Sequence, residues 1–279
     1  MPELPEVETM VRGVRPQLVH RTIEQTQFCR CTRKPIVVEP SRPTFRRKLQ
    51  GAEILAVNRL AKRIMITLAD DQYIVIEPRM TGLLLINTPP TQAHRRIQWY
   101  LNPVDNLAPS FEFWDRRGLG TVRLLGRKSI QELKNRLGPD PLTMPDTQWV
   151  TQLHLTHRPV KNALLDQKIV VGIGNIYASE ILHRARVSPE VAADSISARR
   201  VHRIAKNARE ILHEAIRAEG STLGDGTYRN ALNQDGSYQN KHRVYQKGGQ
   251  ICSSCRRRQI KRIVQAQRST FFCPQCQKR

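Results

Sequence analysis

Four cysteines near the end of the chain, arranged as Cys252-x2-Cys255, seventeen residues, then Cys273-x2-Cys276, restrict its folding more than any other feature. Two Cys-x-x-Cys knuckles present four thiolates to one tetrahedral ion, and zinc suits such a site in a reducing compartment. Protein fills all four coordination positions, so the one expected zinc is structural. In so small a module the metal would supply most of the folding energy, about 10–16 kcal/mol in zinc-finger peptides. A pair of disulfides is the alternative reading, weakened because no export signal accompanies the cysteines. Cys29 and Cys31 lack a partner motif and read as ordinary residues.

Charge gathers at the same end. The chain carries 46 Lys and Arg against 24 Asp and Glu, a formal +22 over 279 residues. No acidic residue follows Asp235, whereas eleven Lys and Arg do, so half of the excess lies in the last 44 residues. Such a surplus calls for a polyanionic partner, with nucleic acid first. An anionic membrane surface or a ribosomal setting are the alternatives, but the sequence has no long apolar run to anchor it. The length suffices for two ordinary domains, and 39% hydrophobic content is enough for packed cores.

The start of the chain reads as a helix, with Val7, Met10, Val11 and Val14 at helical spacing, Glu6 and Glu8 near the positive end of the dipole, and an expected end near Pro16. Short apolar runs then alternate with turn signals: residues 54–57, 64–66, 73–76, 83–86, 97–101, 111–113 and 122–125. Strands at this spacing without intervening helices suggest an antiparallel sandwich or barrel. The rigid connector Leu137-Gly138-Pro139-Asp140-Pro141-Leu142 marks a change of texture. Beyond it helices dominate, clearest from Ser197 to Gly220, where Val201, Ile204, Ala205, Ala208, Ile211, Leu212 and Ala215 keep the 3.6 period opposite Arg200, Arg203, Lys206 and Arg209. The expected domains are 1–137, β-rich; 138–235, helical; and 236–279, the cysteine module.

The opening residues Met1-Pro2-Glu3-Leu4-Pro5-Glu6 carry a chemical option. Removal of Met1, which a small residue at position 2 permits, leaves Pro2 as a free secondary amine. A reference amino terminus titrates at about 7.7–8.0 against about 10.4 for lysine, so it offers far more neutral nucleophile at neutral pH. Attack on an aldehyde-like sugar carbon gives an iminium ion, and Glu3 beside it can shuttle the protons. The plainer alternative is that Pro2 and Pro5 only open the helix. Further on, Gly172-Ile173-Gly174-Asn175 enters a helix, a turn whose amides and Asn175 cap could hold a phosphate or serve structure alone. Tyr177 stands where a dinucleotide fingerprint needs its third glycine, so a nucleotide-cofactor site is disfavoured.

Taken together, Pro2-Glu3-Leu4-Pro5-Glu6-Val7-Glu8-Thr9, Leu164-Leu165-Asp166-Gln167 with Gly172 to Tyr177, and Val244-Tyr245 with Gln267-Arg268-Ser269-Thr270 and the four cysteines resemble the formamidopyrimidine-DNA glycosylase and endonuclease VIII family over almost the whole chain. The N-terminal form resembles its purine-lesion branch. The resemblance implies an α+β fold: an antiparallel β-sandwich preceded by a helix, then a helix-two-turn-helix domain with a zinc-finger β-hairpin. It implies a base-excision repair enzyme, a monomer in the bacterial cytoplasm at the nucleoid, acting on duplex DNA with oxidised bases or abasic sites. Pro2 is then the nucleophile, Glu3 the general acid/base, Glu6 its support and Lys62 an aid to base removal. Asn175, Arg268, Tyr245 and Lys161 belong to the DNA grip, and Met80, Arg117 and Leu119 to the wedge that fills the hole left by an everted base. Without the resemblance, Lys62 reads as a solvent-facing hairpin lysine and Met80 as core.

The chain departs from the family pattern at several of these places. Glu77-Pro78-Arg79 stands where His-Leu-Gly is usual, Leu60-Ala61 where Arg-Gly precedes the lysine, Gly118 for arginine and Leu119 for phenylalanine. The wedge and part of the phosphate grip are altered; the nucleophile and the metal site are not. Other readings are a non-catalytic binder of damaged DNA, a glycosylase for oxidised pyrimidines, and an RNA-binding or ribosome-associated zinc protein. The last accounts for charge and cysteines but not for the N-terminus.

Overall fold

A computed structural model describes residues 2–86, 88–224 and 226–278. The chain forms two compact units: residues up to Asn135 with Ala218–Gln239, and Arg136–Arg217 with the chain from Asn240 onward.

The first unit begins with α1 (Leu4–Leu18), whose apolar stripe Val7, Met10, Val11, Val14 and Leu18 is fully buried. The helix passes through Pro16 rather than stopping there. Proline lacks an N–H and so removes one bond of the last turn, but Val19 N–H still closes onto the Arg15 carbonyl at 3.2 Å and burial of Leu18 holds that turn in place.

After α1 come β1 (Thr22–Phe28), β2 (Val37–Glu39), α2 (Arg42–Leu49), β3 (Ala52–Leu60), β4 (Arg63–Leu68), β5 (Gln72–Glu77), β6 (Gly82–Leu85), β7 (Arg95–Leu101), β8 (Ser110–Asp115), β9 (Thr121–Gly126) and α3 (Arg127–Asn135). The seven apolar runs coincide with β3 to β9. By contrast β1, β2 and α2 carry little apolar pattern: only Ile23 and Thr26 of β1, and Phe45 and Leu49 of α2, are buried. The strand order is β2-β9-β5-β4-β3-β1-β7-β8-β6. All pairings are antiparallel except β2 with β9. A two-residue join, Thr22 to Glu53 and Ile23 to Ala52, links the two layers. Ile64, Ile66, Ile74, Ile76 and Val122 of one layer share a core with Ile97, Trp99, Phe111 and Phe113 of the other, and α1 adds its stripe to it.

Segment 218–239 returns to this unit and lies on α1 at a glycine. A Cβ built on Gly13 would stand 2.6 Å from the Cβ of Ala231, whose carbonyl accepts from Ile86 N–H at 3.1 Å.

The second unit holds α4 (Asp146–Leu153), α5 (Val160–Leu165), α6 (Asn175–Arg184), α7 (Ala198–Arg217) and the hairpin of β10 (Lys261–Gln265) and β11 (Arg268–Phe272). The predicted apolar face of α7 is buried throughout and packs on α4 and α6. Among the described residues no helix is long and apolar enough to cross a membrane.

Gly13→Ala sets two effects against each other. Alanine gains about 1 kcal/mol of helix propensity, but a 2.6 Å approach to another Cβ is overpacking, worth about 1–3 kcal/mol. The clash is expected to win, lowering stability by about 1–2 kcal/mol in urea unfolding, and Ala231→Gly should restore it.

Candidate functional site

Pro2, Glu3 and Glu6 are buried at the head of α1, with Glu3 2% and Glu6 1% exposed. Met1 lies outside the described residues. Glu6 holds this start by both carboxylate oxygens: Oε2 accepts the Glu3 amide at 2.9 Å and Oε1 accepts the Ser221 amide at 2.9 Å. The first bond is half of a capping box, in which the third helical residue reaches back to the cap. The second comes from a residue 215 positions away. Gly220 makes that approach feasible. Its φ is +80°, and a Cβ there would lie 2.9 Å from Glu6 Cγ. Beside it, Tyr228 donates to the Glu219 carbonyl at 2.9 Å, and burial, then the charges of Glu6 and Glu219, push its phenol well up, keeping it a neutral donor.

Lys62 lies half-buried in the two-residue turn that joins β3 to β4, between paired Leu60 and Arg63. The turn needs a left-handed residue, and Ala61 takes φ +57° where the family has glycine. Two side-chain bonds align β3 with α1: Arg15 Nε donates to the Val57 carbonyl at 2.8 Å and Arg59 Nε meets Glu8 Oε2 at 3.0 Å. As β3 runs toward Lys62 its partners on α1 step back toward the helix start, so the lysine turn and Glu3 share one end of the helix. Burial alone would raise the Glu8 carboxyl, but Arg12 and Arg59 outweigh it and hold it below its ordinary value.

The predicted wedge residues sit on two adjoining turns. Met80 and Leu119 are each 37% exposed, so neither is core, and Arg117 is exposed too. Asp115, fully buried, fastens the turns together. Its Oδ1 accepts from the Thr81 hydroxyl and, at 3.1 Å, from Arg117 N–H, while Oδ2 accepts from Gly120 N–H at 2.8 Å. Gly118 has φ +65°, and a Cβ would fall 1.9 Å from the Lys34 carbonyl oxygen, so no side chain fits there. Glu77 pairs with Arg63 at 3.3 Å and Arg79 at 3.1 Å. The carboxylate that replaces the family's histidine is therefore neutralised, leaving the trio one net positive charge. Arg79 itself holds φ +56°, again at a family glycine.

In the second unit Lys161 is fully buried, and its Nζ donates to Asn175 Oδ1 at 2.7 Å, the Ser269 carbonyl at 3.1 Å and Thr270 Oγ1 at 2.6 Å. Asn175 Nδ2 donates to the same Ser269 carbonyl at 3.0 Å. The helix cap is Gly174 rather than Asn175, which is the first helical residue and turns its amide toward the hairpin. Gln167 holds the glycine turn, accepting from Gly172 N–H at 2.9 Å and donating to the Ile173 carbonyl at 3.1 Å. Arg268 is exposed where β11 leaves the hairpin tip, formed by Ala266 and Gln267 at φ +44° and +59°. Tyr245 packs edge-on to Phe271 at 5.5 Å in the finger core.

The four cysteine Sγ atoms lie within 4.8 Å of one another, with Cys252 to Cys276 at 3.9 Å and Cys255 to Cys273 at 3.7 Å. A zinc tetrathiolate with 2.3 Å bonds requires S···S separations of about 3.8 Å. The set fits one zinc and no disulfide is formed. Backbone amides of Arg257 and Arg258 draw the Cys255 thiol down to about 6, toward the thiolate that binds metal. His183 Nε2 lies 3.6 Å from Cys252 Sγ, and burial, then Arg243 and Arg186, lower it to about 4, so the imidazole is neutral.

Sequence reasoning missed three residues that build these sites. Asp115 and Thr81 carry no motif on their own. Glu180, 2% exposed, accepts the backbone N–H groups of Arg243, Val244 and Tyr245 at 2.8–3.0 Å and ties α6 to the finger. Its only signal was an acidic residue on the apolar side of its helix.

Three family models match the chain: the formamidopyrimidine-DNA glycosylase N-terminal domain over residues 1–122, the H2TH domain of the same enzyme over 137–226, and the zinc finger found in FPG and IleRS over 249–279. The formamidopyrimidine-DNA glycosylase of Chloroflexus aurantiacus is 38% identical over 279 residues, covering 99% of this chain and 98% of that protein. That of Paracoccus denitrificans is 37% identical, covering 99% and 100%. Among solved structures, the MutM (Fpg) protein of Thermus thermophilus matches with TM-score 0.84 at 35% identity, covering 99% of this chain and 98% of that one. Lactococcus lactis Fpg in complex with DNA containing an abasic site matches with TM-score 0.86 at 29% identity, covering 99% and 100%.

A strong chelator is expected to loosen the second unit alone. Thiol titration should expose four reactive cysteines as zinc leaves, while the core of the first unit, around Trp99, melts at an unchanged temperature; parallel loss of both would show that the metal stabilises more than the finger.

Proposed function

The chain belongs to the formamidopyrimidine-DNA glycosylase family, and on that footing we propose that it removes oxidised purines, such as 8-oxoguanine and formamidopyrimidines, from duplex DNA and then cleaves the strand at the resulting site. The observation that carries this reading is the two-sided grip of Glu6 on the Glu3 and Ser221 amides, which immobilises the chain's first residues inside the protein. A nucleophile must be held close to its target atom for proximity to help, and a chain terminus is otherwise mobile.

Once Met1 is removed, the Pro2 nitrogen attacks C1′ of the damaged nucleotide, the bond to the base breaks, and the base leaves as it gains a proton. Ring opening converts the adduct to an iminium ion, with Glu3 delivering a proton to the departing ring oxygen. Loss of a C2′ proton then expels the 3′ phosphate, and a second elimination expels the 5′ phosphate. Lys62, at the end of β4's turn, assists base removal. The base must first leave the stack, at a few kcal/mol, and Met80, Arg117 and Leu119 fill the gap. Asn175 and Arg268 hold phosphates and Tyr245 contributes from the same unit, while Lys161, buried with its three donors on Asn175, Ser269 and Thr270, positions Asn175 rather than touching DNA as its sequence motif suggested. The chain is divided by function into 1–137 for catalysis and 138–235 and 236–279 for DNA binding, with the segment 218–239 packing on the first unit, where Ser221 holds Glu6. It acts as a monomer at the nucleoid, in the cytoplasm. One zinc on Cys252, Cys255, Cys273 and Cys276 supplies rigidity to the finger rather than chemistry.

Borohydride reduction should trap a covalent adduct with an 8-oxoguanine duplex. Pro2→Gly should abolish it, and Glu3→Gln should slow turnover by about 10²–10⁴-fold, the usual range for a general acid/base. Salt-sensitive binding without any adduct, on damaged-base and abasic substrates alike, would mean a non-catalytic binder instead.

Arg79 adds a cation beside Met80 that most of the family lacks. Arg79→Gly relieves a left-handed backbone worth about 1–2 kcal/mol and removes an exposed ion pair worth about 1 kcal/mol or less, so stability should change little. DNA affinity should fall, and the log–log salt slope should become shallower by about 0.9, one phosphate contact. An unaltered slope would place Arg79 off the DNA.

A further inference from the structure

The second unit contains a cavity of about 710 Å³ that the proposed repair reaction does not use. Its cationic lining is Arg184, Arg186, Arg200, Arg203, Arg243 and Lys278, and among the described residues no Asp or Glu lines it. Arg184 is answered by Glu210 and Glu214 at 2.7 and 2.8 Å. The guanidiniums of α7 are held differently: Arg203 Nε donates to the Ala185 carbonyl at 2.6 Å and Arg200 Nη2 to the Lys278 carbonyl at 2.9 Å. A carbonyl orients a guanidinium without cancelling its charge, and each guanidinium has five N–H donors to offer. Burial, then Arg200, Arg199 and Arg186, lower the Arg203 pKa, so the like charges crowd one another.

Two obvious explanations fall short. Cys255 and Cys276 also reach this cavity, and a zinc tetrathiolate carries two negative charges, but set against the five cations left when Arg184 is discounted these still leave a surplus of three positive charges. The cavity is also not part of the Lys161–Asn175–Ser269 cluster. Asn175 opens α6 and Arg184 closes it, about 13 Å apart at 1.5 Å per residue.

We propose that this cavity is a second anion site, built for a compact oligophosphate: inorganic tripolyphosphate or the triphosphate of a free nucleotide. The volume lies within the range of small-molecule sites. A duplex strand winds its phosphates around a stiff rod, one per about 3.4 Å of helix axis, so few of them can enter one concavity, whereas an oligophosphate brings several charges into it together.

Calorimetric titration of the zinc-loaded full chain, at constant ionic strength, with sodium tripolyphosphate, ATP and sulfate tests this. Zinc content is checked after each run, because both phosphates chelate metal. Saturable one-to-one binding of tripolyphosphate or ATP is expected, with sulfate silent. It should weaken at least tenfold in Arg200→Gln/Arg243→Gln and persist beside saturating duplex DNA. Tighter binding of ATP would assign a nucleotide, and equal binding would show that only the phosphates are read. Should the double variant lose its zinc, Lys278→Gln serves in its place, with a loss of about threefold expected. Absence of saturable binding up to millimolar ligand, unchanged affinity in the variants, or displacement by duplex DNA would each overturn the proposal.

Discussion

The Glu6 carboxylate is the constraint on which the rest of the first unit depends. It joins its neighbour's backbone amide, at Glu3, to that of Ser221, 215 positions beyond Glu6 itself, and it does so at 1% exposure. A buried carboxylate without donors would be costly, and the two amides are what make its burial tolerable. The same bonds fix the head of α1 against the returning segment 218–239. Gly220 and Gly13 are the two points where that segment and α1 come too close for a side chain. An acid that looks in the sequence like half of a helix cap thus also serves as the anchor of a terminus.

Elsewhere the protein arranges cations by two different means. Where charge must be tempered, carboxylates do it: Glu8 between Arg12 and Arg59, Glu77 between Arg63 and Arg79. Where charge is kept, neutral oxygens orient the group, as with Lys161 on three acceptors and Arg200 and Arg203 on carbonyls. The second arrangement preserves the field that draws a polyanion. A net +22 therefore does not spread evenly over an inert surface.

The departures from the family pattern have local physical reasons. Glu77 brings its own counter-ions, so the loss of a histidine does not create a repulsive carboxylate. Gly118 stands where the Lys34 carbonyl leaves no room for an arginine. Ala61 and Arg79 occupy left-handed backbone that glycine would take without cost. At these positions the chain keeps the turn and accepts some strain.

Much was legible in the residues alone. The spacing of the cysteines determined a four-thiolate site, the valine stripe determined α1, and seven apolar runs determined β3 to β9, because each depends on neighbours a few positions away. The strands β1 and β2 were not legible, since most of their side chains face solvent and leave no period. Nor was the end of α1, where burial of Leu18 outweighs a missing proline N–H. Only the tertiary structure decided that Ser221 meets Glu6, that Asp115 ties two turns together, that Glu180 holds the finger, and that six cations converge on one cavity. Those contacts join positions far apart in the chain, and no local pattern encodes which distant donor will reach a buried oxygen.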